Sequence, residues 1–453
     1  MLTPGVFKAY DVRGIYGRDW DADGASAIAR AFVEKFGLKN VVLGFDMRAS
    51  SVEIVTAVEK ILVAAGVRVI NIGKVTTPTL YFAVANYPDR EAGIMITASH
   101  NPAEWNGMKF CLGDGSPVGE SSGLFDIKEL ALKNLFSESL ISGSVEHVDA
   151  IEPCLDYVTG LVELAANPIK VVIDCGNGME GATIRKFLQR VPTVQAHLMY
   201  DEPDGTFPNH EANPLNESTL ADLKKEVVAR GAAFGVAFDG DGDRIGFVDE
   251  QGGVVSADIM LALVSRELLK KHPGAKILFD LRSRSVVGRV IAAAGGVPGM
   301  CRIGHAFIKQ QMRAENALFA GELSGHMYAR EFFSVETVDY AFLLVVKLLQ
   351  TSGKPLSALA AELMEDAHSG EINFIVEDRK GALEKLRAAY SDRAEKIIDI
   401  DGLLFQMPDW WLSVRPSNTE PFLRLNMEAK TQEDLDAHLA EFESILGAPR
   451  AQH

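Results

Sequence analysis

Short apolar runs alternate along most of this chain with longer segments in which apolar residues recur at helical spacing. Val41–Phe45 is a continuous apolar run, residues 52–65 have helical periodicity, and Val67–Ile72 is the next apolar run. Strands that alternate with helices, and that are apolar at successive positions, are typical of a parallel or mostly parallel sheet covered on both faces. The pattern therefore predicts an α/β fold for the first part of the chain.

One unit of this pattern recurs in each third of the chain: an apolar strand, an aspartate, a loop and a helix. The three strands lead to Asp46, Asp174 and Asp280, which predicts three related α/β domains. After residue 370 the pattern changes to short strands with only two helical segments, which is typical of a smaller α+β domain. The predicted domains are 1–149, 150–252, 253–370 and 371–453.

Composition and charge narrow the class of protein. The 453 residues are 47% hydrophobic, carry a net charge of -17 and contain no block of Lys and Arg, so we expect no nucleic-acid partner. The longest apolar stretches, such as Ala341–Leu349, are too short to span a bilayer, and no signal segment is evident at the first residues. Four scattered cysteines predict reduced, buried thiols in a cytoplasmic protein.

A single serine stands out at the end of an apolar run. Ile94–Ile96 leads through small residues to Ser99, and Asn101-Pro102 follows at once and breaks the chain direction. This arrangement presents one hydroxyl on a loop that cannot continue as helix or sheet. We interpret Ser99 as a residue that carries a phosphoryl group. A serine hydrolase is disfavoured because no GxSxG turn surrounds it.

The most acidic loop lies between two apolar runs and contains Asp239, Asp241 and Asp243 among glycines. Alternating carboxylates repel one another unless a cation lies between them, and oxygen ligands suit a hard cation such as Mg²⁺ or Ca²⁺. Together with Glu250 the spacing also matches an EF-hand, but Arg244 stands where that loop needs glycine, and both flanks are strand-like. A magnesium site is therefore preferred to an EF-hand or a solvated turn.

Three further stretches carry candidate binding groups. Glu322, Ser324 and His326 share a glycine-containing loop, where a carboxylate could bind two sugar hydroxyls; an ordinary turn is the alternative. Lys109, soon after Ser99, could stabilise transferring oxygens or simply be a surface lysine. The loop Arg415–Pro421 offers a guanidinium, hydroxyls and an amide for a phosphate dianion, or is a polar hairpin turn.

Five stretches, taken in chain order, carry a family resemblance: residues 10–14, 97–102 with 106–109, 239–244, 321–326 and 415–421. Together they resemble the α-D-phosphohexomutases, most closely the phosphomannomutase/phosphoglucomutase branch. The likeness runs over nearly the whole chain, with one signature in each expected domain. It implies three related α/β domains with mixed, mostly parallel sheets and a C-terminal α+β domain, arranged around a central cleft.

The resemblance also implies a reaction and its residues. The protein would interconvert hexose 6-phosphate and hexose 1-phosphate, of mannose or glucose, through a phosphoserine at Ser99 and a hexose 1,6-bisphosphate intermediate or activator. One Mg²⁺ per chain would bind Asp239, Asp241, Asp243 and a phosphoserine oxygen. The implied catalytic residues are Ser99, His100, Lys109, Arg13, Arg244 and His305. The implied substrate-binding residues are Tyr10, Glu322, Ser324, His326, Arg415, Ser417, Asn418 and Thr419.

One segment and one single residue depart from the family pattern. Many relatives carry Asp-Asp-Gly or Asp-Ser-Gly where this chain has Glu336-Thr337-Val338, and a lysine used by some relatives is replaced by Arg282. Glucosamine-phosphate mutases usually have Gln before the serine of the sugar loop, whereas this chain has Leu323. A glucosamine-phosphate mutase and a non-catalytic sugar-phosphate-binding protein remain the alternatives. The sequence does not rank His100, Lys109 and His305 as general base, and it leaves monomer and dimer open.

Overall fold

The computed structural model describes residues 1–136, 141–364, 366–417 and 421–451. The chain divides into two compact units. The first contains Met1–Ala257 and Gly304–Ser357, and the second contains Asp258–Ile303 and the chain from Ala358 onwards. No helix in the described ranges combines the length and the apolar character needed to cross a membrane. All four cysteines are buried free thiols, as predicted.

The first sheet of the first unit has six strands. They are β1 (Val12–Ile15), β2 (Asn40–Phe45), β3 (Arg68–Lys74), β4 (Ala92–Ile96), β5 (Trp105–Leu112) and β6 (Ser144–His147), and the helices are α1 (Ala22–Phe36), α2 (Ser51–Ala64), α3 (Thr77–Ala85) and α4 (Leu124–Lys133). The strand order is β1-β5-β4-β2-β3-β6. β2 lies parallel to β3 and β4, whereas β5 is antiparallel to β4 and β1. The mixed, mostly parallel sheet is confirmed.

The second sheet repeats this arrangement. Its strands are β7 (Ile169–Asp174), β8 (Val194–Met199), β9 (Phe234–Phe238), β10 (Ile245–Asp249) and β11 (Val254–Val255), and its helices are α5 (Ile151–Gly160), α6 (Glu180–Arg190) and α7 (Ala221–Arg230). β7 is parallel to β8 and β9, and β10 is antiparallel to β9. β7 therefore has the place that β2 has in the first sheet.

The third segment of the chain continues the series. Its elements are α8 (Ala257–Lys271), β12 (Lys276–Asp280), α9 (Ser285–Ala293), β13 (Val297–Cys301), α10 (His305–Glu315), β14 (Phe319–Gly321), β15 (Met327–Ala329), β16 (Val335–Glu336) and α11 (Val338–Ser352). In the second unit β12 is parallel to β13, and in the first unit β15 is antiparallel to β14 and β16. Three antiparallel pairs, β4–β5, β9–β10 and β14–β15, thus have equivalent places in the fold.

The C-terminal part of the second unit is built differently. Its elements are α12 (Leu356–Ala361), β17 (Ala367–His368), β18 (Ile372–Ile375), α13 (Arg379–Tyr390), β19 (Lys396–Ile398), β20 (Leu403–Gln406), β21 (Trp410–Pro416), β22 (Phe422–Ala429) and α14 (Gln432–Leu446). All of its strand pairs in the described ranges are antiparallel. Its core includes Leu386, Tyr390 and Phe442 from the helices. The expected α+β domain is confirmed, whereas the exact boundaries and the arrangement around a cleft stay predictions.

Several helices begin earlier than their apolar spacing indicates. The sequence predicts helices from Ser26 and from Leu383, but α1 begins at Ala22 and α13 at Arg379. The first turns are set by capping: the side chains of Asp21 and Asp378 accept hydrogen bonds from backbone N–H groups three residues later. Apolar periodicity misses such turns because they contain no large apolar residue.

Candidate active site

Ser99 lies on the connection between β4 and β5 and is 3% exposed. Its φ of 50° is unusual for a residue with a side chain. Its Oγ donates to Asp239 Oδ2 at 2.7 Å and lies 3.2 Å from His100 Nδ1. Its backbone N–H donates to the hydroxyl of Thr97 at 2.9 Å. The hydroxyl is therefore directed at the acidic loop predicted to bind metal.

A buried arginine that the sequence reasoning missed holds the Ser99 loop. Arg48 follows β2, is 1% exposed, and pairs through Nε with Asp46 at 3.1 Å. Its two terminal nitrogens donate to four backbone carbonyls of the loop, those of Ser99, Asn101, Pro102 and Trp105, at 2.6–3.0 Å. The Asp-x-Arg spacing after the strand was visible in the sequence, but nothing local shows which carbonyls the guanidinium reaches.

The predicted metal loop connects β9 and β10. One carboxylate oxygen from each of Asp239, Asp241 and Asp243 can be chosen so that all lie within 4.8 Å of one another, and all three residues are buried. Asp241 Oδ1 is buried without a hydrogen-bond partner among the described residues, and Gly242 has a φ of 70° that lets the loop close. Burial, with the charges of Asp243 and Asp241, raises the pKa of Asp239 to about 8. This donor set fits a hard divalent cation.

The flanks of this loop exclude an EF-hand. β9 and β10 are antiparallel strands, not helices. Glu250, which would supply the last ligand, instead accepts from the backbone N–H of Ser357 at 3.1 Å. The acidic loop is therefore a strand connection with three convergent carboxylates.

Lys109 is not a surface lysine. It lies on β5, is 6% exposed, and its Nζ is 2.7 Å from Asp241 Oδ2 and 2.5 Å from Asp243 Oδ2. Burial alone would lower the pKa of Lys109, but the two carboxylates outweigh it and raise the pKa. The lysine therefore stays protonated and supplies positive charge at the acidic loop.

Two arginines complete the positive charge around Ser99. Arg13, on β1, pairs with Asp11 and donates to Asn101 Oδ1 at 3.0 Å. Arg244 Nε lies 3.9 Å from Asp239 Oδ2 and 3.3 Å from His326 Nε2. The structure thus brings both predicted arginines to the loops that carry the serine and the aspartates.

The predicted sugar loop lies between β14 and β15, in the same unit as Ser99. His326 lies 3.3 Å from Asp243 Oδ1 and 3.0 Å from Glu322 Oε2, and its Nδ1 is 2.9 Å from Ser324 Oγ. Burial alone would lower the pKa of His326, but Asp243 outweighs it and raises the pKa to about 9. Tyr328, which the sequence reasoning missed, donates its hydroxyl to Glu322 Oε2 at 2.6 Å. The sugar loop and the acidic loop are therefore in contact.

His305 begins α10 beside the sugar loop. The backbone N–H of Gly304 donates to Glu322 Oε1 at 3.0 Å, and the rings of His305 and Tyr10 lie edge to face, 5.6 Å apart. Burial lowers the pKa of His305, and Glu336 opposes this effect. The pKa of His100 is lowered as well, to about 2, by burial and by the charges of Arg244 and Arg13. Both histidines are neutral at neutral pH.

The predicted phosphate-binding residues lie in the second unit. Arg415, near the end of β21, pairs with Glu371 at 3.3 Å, and Glu371 also pairs with Arg424 at 3.1 Å. Arg424 Nη2 lies 3.4 Å from the hydroxyl of Ser417. Arg282 instead pairs with Asp280 at 2.6 Å. Asn418 and Thr419 fall outside the described residues, so their predicted role stays a prediction.

Comparison with known proteins identifies the family. Models described as phosphoglucomutase/phosphomannomutase α/β/α domains I, II and III match residues 4–137, 145–253 and 256–367, and its C-terminal domain matches 371–445. A phosphomannomutase of Salmonella montevideo is 37% identical over 432 residues, 94% of each chain. A phosphoglucomutase of Neisseria gonorrhoeae is 36% identical over 453 residues, 98% of this chain and 97% of that one.

A solved structure agrees with these matches. A phosphoglucomutase/phosphomannomutase family protein of Burkholderia thailandensis superimposes with a TM-score of 0.91 at 32% identity, over 99% of this chain and 100% of that one. The fold, together with the Ser99 loop, the acidic loop and the sugar loop, defines a phosphotransferase of the mutase type. The chain belongs to the phosphoglucomutase/phosphomannomutase family.

Proposed function

We propose that this protein interconverts hexose 6-phosphate and hexose 1-phosphate, of glucose or mannose, through a phosphorylated Ser99 and a hexose 1,6-bisphosphate intermediate. One observation carries the proposal: the Ser99 hydroxyl lies 2.7 Å from a carboxylate of a buried cluster that can hold a metal ion. A phosphate on that oxygen would face both the cation and Lys109. The names of the two relatives support the two hexoses.

Each half of the reaction is one phosphoryl transfer. A sugar hydroxyl oxygen forms a bond to phosphorus while the bond from phosphorus to Ser99 Oγ breaks, the sugar hydroxyl loses its proton to a base, and Ser99 Oγ regains one. The bisphosphate then turns end for end and returns its other phosphoryl group by the reverse step. Such transfers depend on positioning and charge neutralisation. Arg13 supplies positive charge at the Ser99 loop, and Lys109 and Arg244 supply it at the acidic loop.

The metal is proposed to be one Mg²⁺ held by Asp239, Asp241, Asp243 and a phosphoserine oxygen. When bound, it supplies charge neutralisation for the phosphoryl oxygens. The protein contributes the fixed geometry of the donors: the second oxygen of Asp239 accepts from the backbone N–H groups of Asp243 and Arg244 at 3.0 and 3.1 Å, which holds the loop closed.

Recognition of the substrate divides between two loops. Glu322 and Ser324 are proposed to bind sugar hydroxyls, with His326 and Tyr10 beside them. Arg415, Ser417, Asn418 and Thr419 are proposed to hold the phosphate that is not reacting. A phosphate on O1 and a phosphate on O6 offer the same charge and oxygen atoms, so these residues could bind the non-reacting phosphate of either substrate.

Among the three candidate bases, His305 is favoured. Lys109 is held protonated by two carboxylates, and the low pKa of His100, about 2, makes that residue a weak proton acceptor. His305 is neutral, adjoins the sugar loop through Gly304, and has a carboxylate partner in Glu336. These features are those of an oriented general base.

The test is Ser99→Ala, assayed for mutase activity with glucose 1-phosphate and mannose 1-phosphate in the presence of Mg²⁺ and glucose 1,6-bisphosphate. We expect turnover to be abolished while the circular dichroism spectrum and unfolding midpoint stay unchanged. Ser121→Ala, at an exposed serine of the same segment, is the control and should be fully active. Near-normal turnover by Ser99→Ala would refute the phosphoserine mechanism.

The same assay separates the alternatives. A panel that adds glucosamine 1-phosphate and N-acetylglucosamine 1-phosphate would reveal a glucosamine-phosphate mutase by its preference. Binding of phosphosugars without turnover of any would indicate a non-catalytic binding protein. The proposed cytoplasmic location and a monomeric or dimeric state would be checked by fractionation and by light scattering.

A further inference from the structure

The guanidinium of Arg48 uses all of its hydrogen-bond donors inside the protein. An arginine side chain has five N–H groups. The Nε–H group donates to Asp46 at 3.1 Å, and Nη1 and Nη2 donate to the backbone carbonyls of Ser99, Asn101, Pro102 and Trp105 at 2.6–3.0 Å. Five donors thus meet five acceptors. Because no donor is left for a phosphate or a sugar, Arg48 acts on the reaction only through the Ser99 loop.

The surroundings of Arg48 hold this arrangement rigidly. The residue is 1% exposed, and its guanidinium lies 5.2 Å from the ring centre of Phe207. The planar fork of an arginine presents its donors in fixed directions, whereas a lysine has only three donors on a flexible stem. A lysine at this position therefore could not bind all five acceptors.

The carbonyl group of Ser99 is fixed from two sides. Arg48 Nη2 donates to its oxygen at 2.9 Å. From the acidic loop, Gly240 approaches so closely that an added Cβ would lie 2.5 Å from the same oxygen. The peptide group between Ser99 and His100 therefore cannot rotate without losing a hydrogen bond or colliding with the acidic loop.

A fixed carbonyl also fixes the direction of the next N–H. This peptide bond is trans, and in a trans peptide the C=O and the following N–H point in opposite directions. The N–H of His100 therefore points away from the guanidinium, and it donates to no acceptor among the described residues. Backbone N–H groups of this kind are ready donors for anions. The hydroxyl proposed to carry the phosphoryl group belongs to the adjacent residue, Ser99.

We propose that Arg48 is a positioning residue that fixes the peptide group between Ser99 and His100, so that the His100 N–H donates a hydrogen bond to the phosphoryl group on Ser99. This inference rests on the phosphoserine of the proposed function. A hydrogen bond to one phosphoryl oxygen restricts rotation about the bond from Oγ to phosphorus. Such orientation matters because the attacking hydroxyl must approach phosphorus in line with that bond.

NMR of the wild-type protein tests the N–H directly. Ser99-His100 is the only Ser-His pair in the sequence, so protein labelled with carbonyl-¹³C serine and ¹⁵N histidine gives one amide signal in an HNCO spectrum. We expect this proton signal to move downfield when glucose 1,6-bisphosphate phosphorylates Ser99, compared with phosphate-free protein. Mass spectrometry confirms the phosphate. Arg48→Lys, once phosphorylated, should lose most of that shift.

Kinetics of Arg48→Lys test the effect of this orientation on turnover. The variant keeps the charge but cannot bind all five acceptors, so we expect kcat to fall at least about tenfold. KM and the Mg²⁺ concentration for half-maximal rate should change less than about twofold. Both proteins are assayed below their unfolding transitions, where a purely structural role would leave kcat unchanged. Arg185→Lys, at a side chain that is 71% exposed, is the matched control and should be fully active.

Three results would overturn the proposal: a wild-type His100 amide signal that does not move downfield on phosphorylation, an undiminished shift in Arg48→Lys, or a wild-type kcat for that variant. If Arg48→Lys did not fold, the wild-type NMR comparison would decide alone. Failure of the mutase mechanism has a different signature, an active Ser99→Ala together with no phosphate on Ser99 after incubation with the bisphosphate.

Discussion

Two groups of buried carboxyls in the first unit are neutralised in different ways. Asp239, Asp241 and Asp243 face Lys109, and Asp241 keeps one oxygen without a hydrogen-bond partner among the described residues. Glu180, the first residue of α6, faces half-buried Asp339 on α11, and the hydroxyl of Thr183 donates to it at 3.1 Å. The first group attracts cations, whereas the second holds protons.

The two groups are neighbours, which makes the contrast informative. A Cβ added at Gly242 of the acidic loop would lie 2.6 Å from Glu180 Oε1, so the glutamate packs against the loop itself. Burial, with the charge of Asp339, raises the pKa of Glu180 well above its usual value, and burial raises the pKa of Asp339 to about 7. Close carboxyls in an interior need either a cation or a proton. The group beside Ser99 has the ammonium of Lys109 as its cation.

The largest expected effect is on mutase activity, and it distinguishes the two groups of carboxyls. Asp241→Asn removes a carboxylate that contacts Lys109 and is proposed to bind Mg²⁺, so we expect kcat/KM to fall about a thousandfold, or about 4 kcal/mol in the barrier. The Mg²⁺ concentration for half-maximal rate should rise as well. Mutase assays over a magnesium titration measure both values.

Glu180→Gln is the matched control for this experiment. It changes a buried carboxyl beside the same loop to an amide of the same size, and it should leave the magnesium titration unchanged. Equal magnesium dependence of Asp241→Asn and wild type would contradict the proposed metal site. A shifted titration for Glu180→Gln would mean that the second group also takes part in metal binding.

The sequence predicted the first group of carboxyls from local signals, but it predicted nothing about the second group. Ser99 and the three aspartates stand on loops that directly follow apolar strands, and such a signal is readable in a few consecutive residues. The contacts of Lys109 with Asp241 and Asp243 were not predicted, because that lysine is 132 residues from Asp241. The equivalence of the β4–β5, β9–β10 and β14–β15 connections explains why these distant loops meet.

The missed residues share one property: their partners are remote in the chain. Arg48 looked like a polar residue after a strand, and its importance is that it binds four carbonyls of the Ser99 loop. Glu336 was noticed only as a departure from relatives, and its contacts with Lys309 and His305 come from the packing of β16 on α10. Glu180 carried no signal, since a glutamate at the start of a helix is ordinary.

The second-largest expected effect is on stability, and it concerns Lys109, whose ammonium lies beside the first group of carboxyls. Lys109→Met leaves Asp241 and Asp243 buried without the ammonium between them, so we expect the metal-free protein to lose about 3 kcal/mol of stability. Added Mg²⁺ should restore most of that loss, because it supplies the missing charge. Urea unfolding with chelator and with saturating Mg²⁺ measures both terms.

Lys39→Met, at an exposed lysine of the same unit, is the control and should change stability little under either condition. If Lys109→Met were as stable as wild type in chelator, the lysine would not be balancing the acidic loop. If the loss persisted in saturating Mg²⁺, the ion would not be taking over the role of the ammonium.

The smallest expected effect is on the pH dependence of stability, and it tests the second group of carboxyls, Glu180 and Asp339. Because the pKa values of Glu180 and Asp339 are raised, the folded state keeps protons above about pH 5 that the unfolded state has released. Stability contributed by these groups is therefore present below about pH 4, falls as the pH rises, and is lost above the folded-state pKa.

Glu180→Gln removes one such group. Its free energy of unfolding, relative to that of wild type, should therefore rise by about 1–2 kcal/mol between pH 5 and pH 8. Unfolding midpoints of both proteins across this range measure the difference, with chelator present so that metal binding does not contribute. A difference that stays constant with pH would mean that Glu180 is ionised in the folded protein, and the two carboxyl groups would then not differ as the structure indicates.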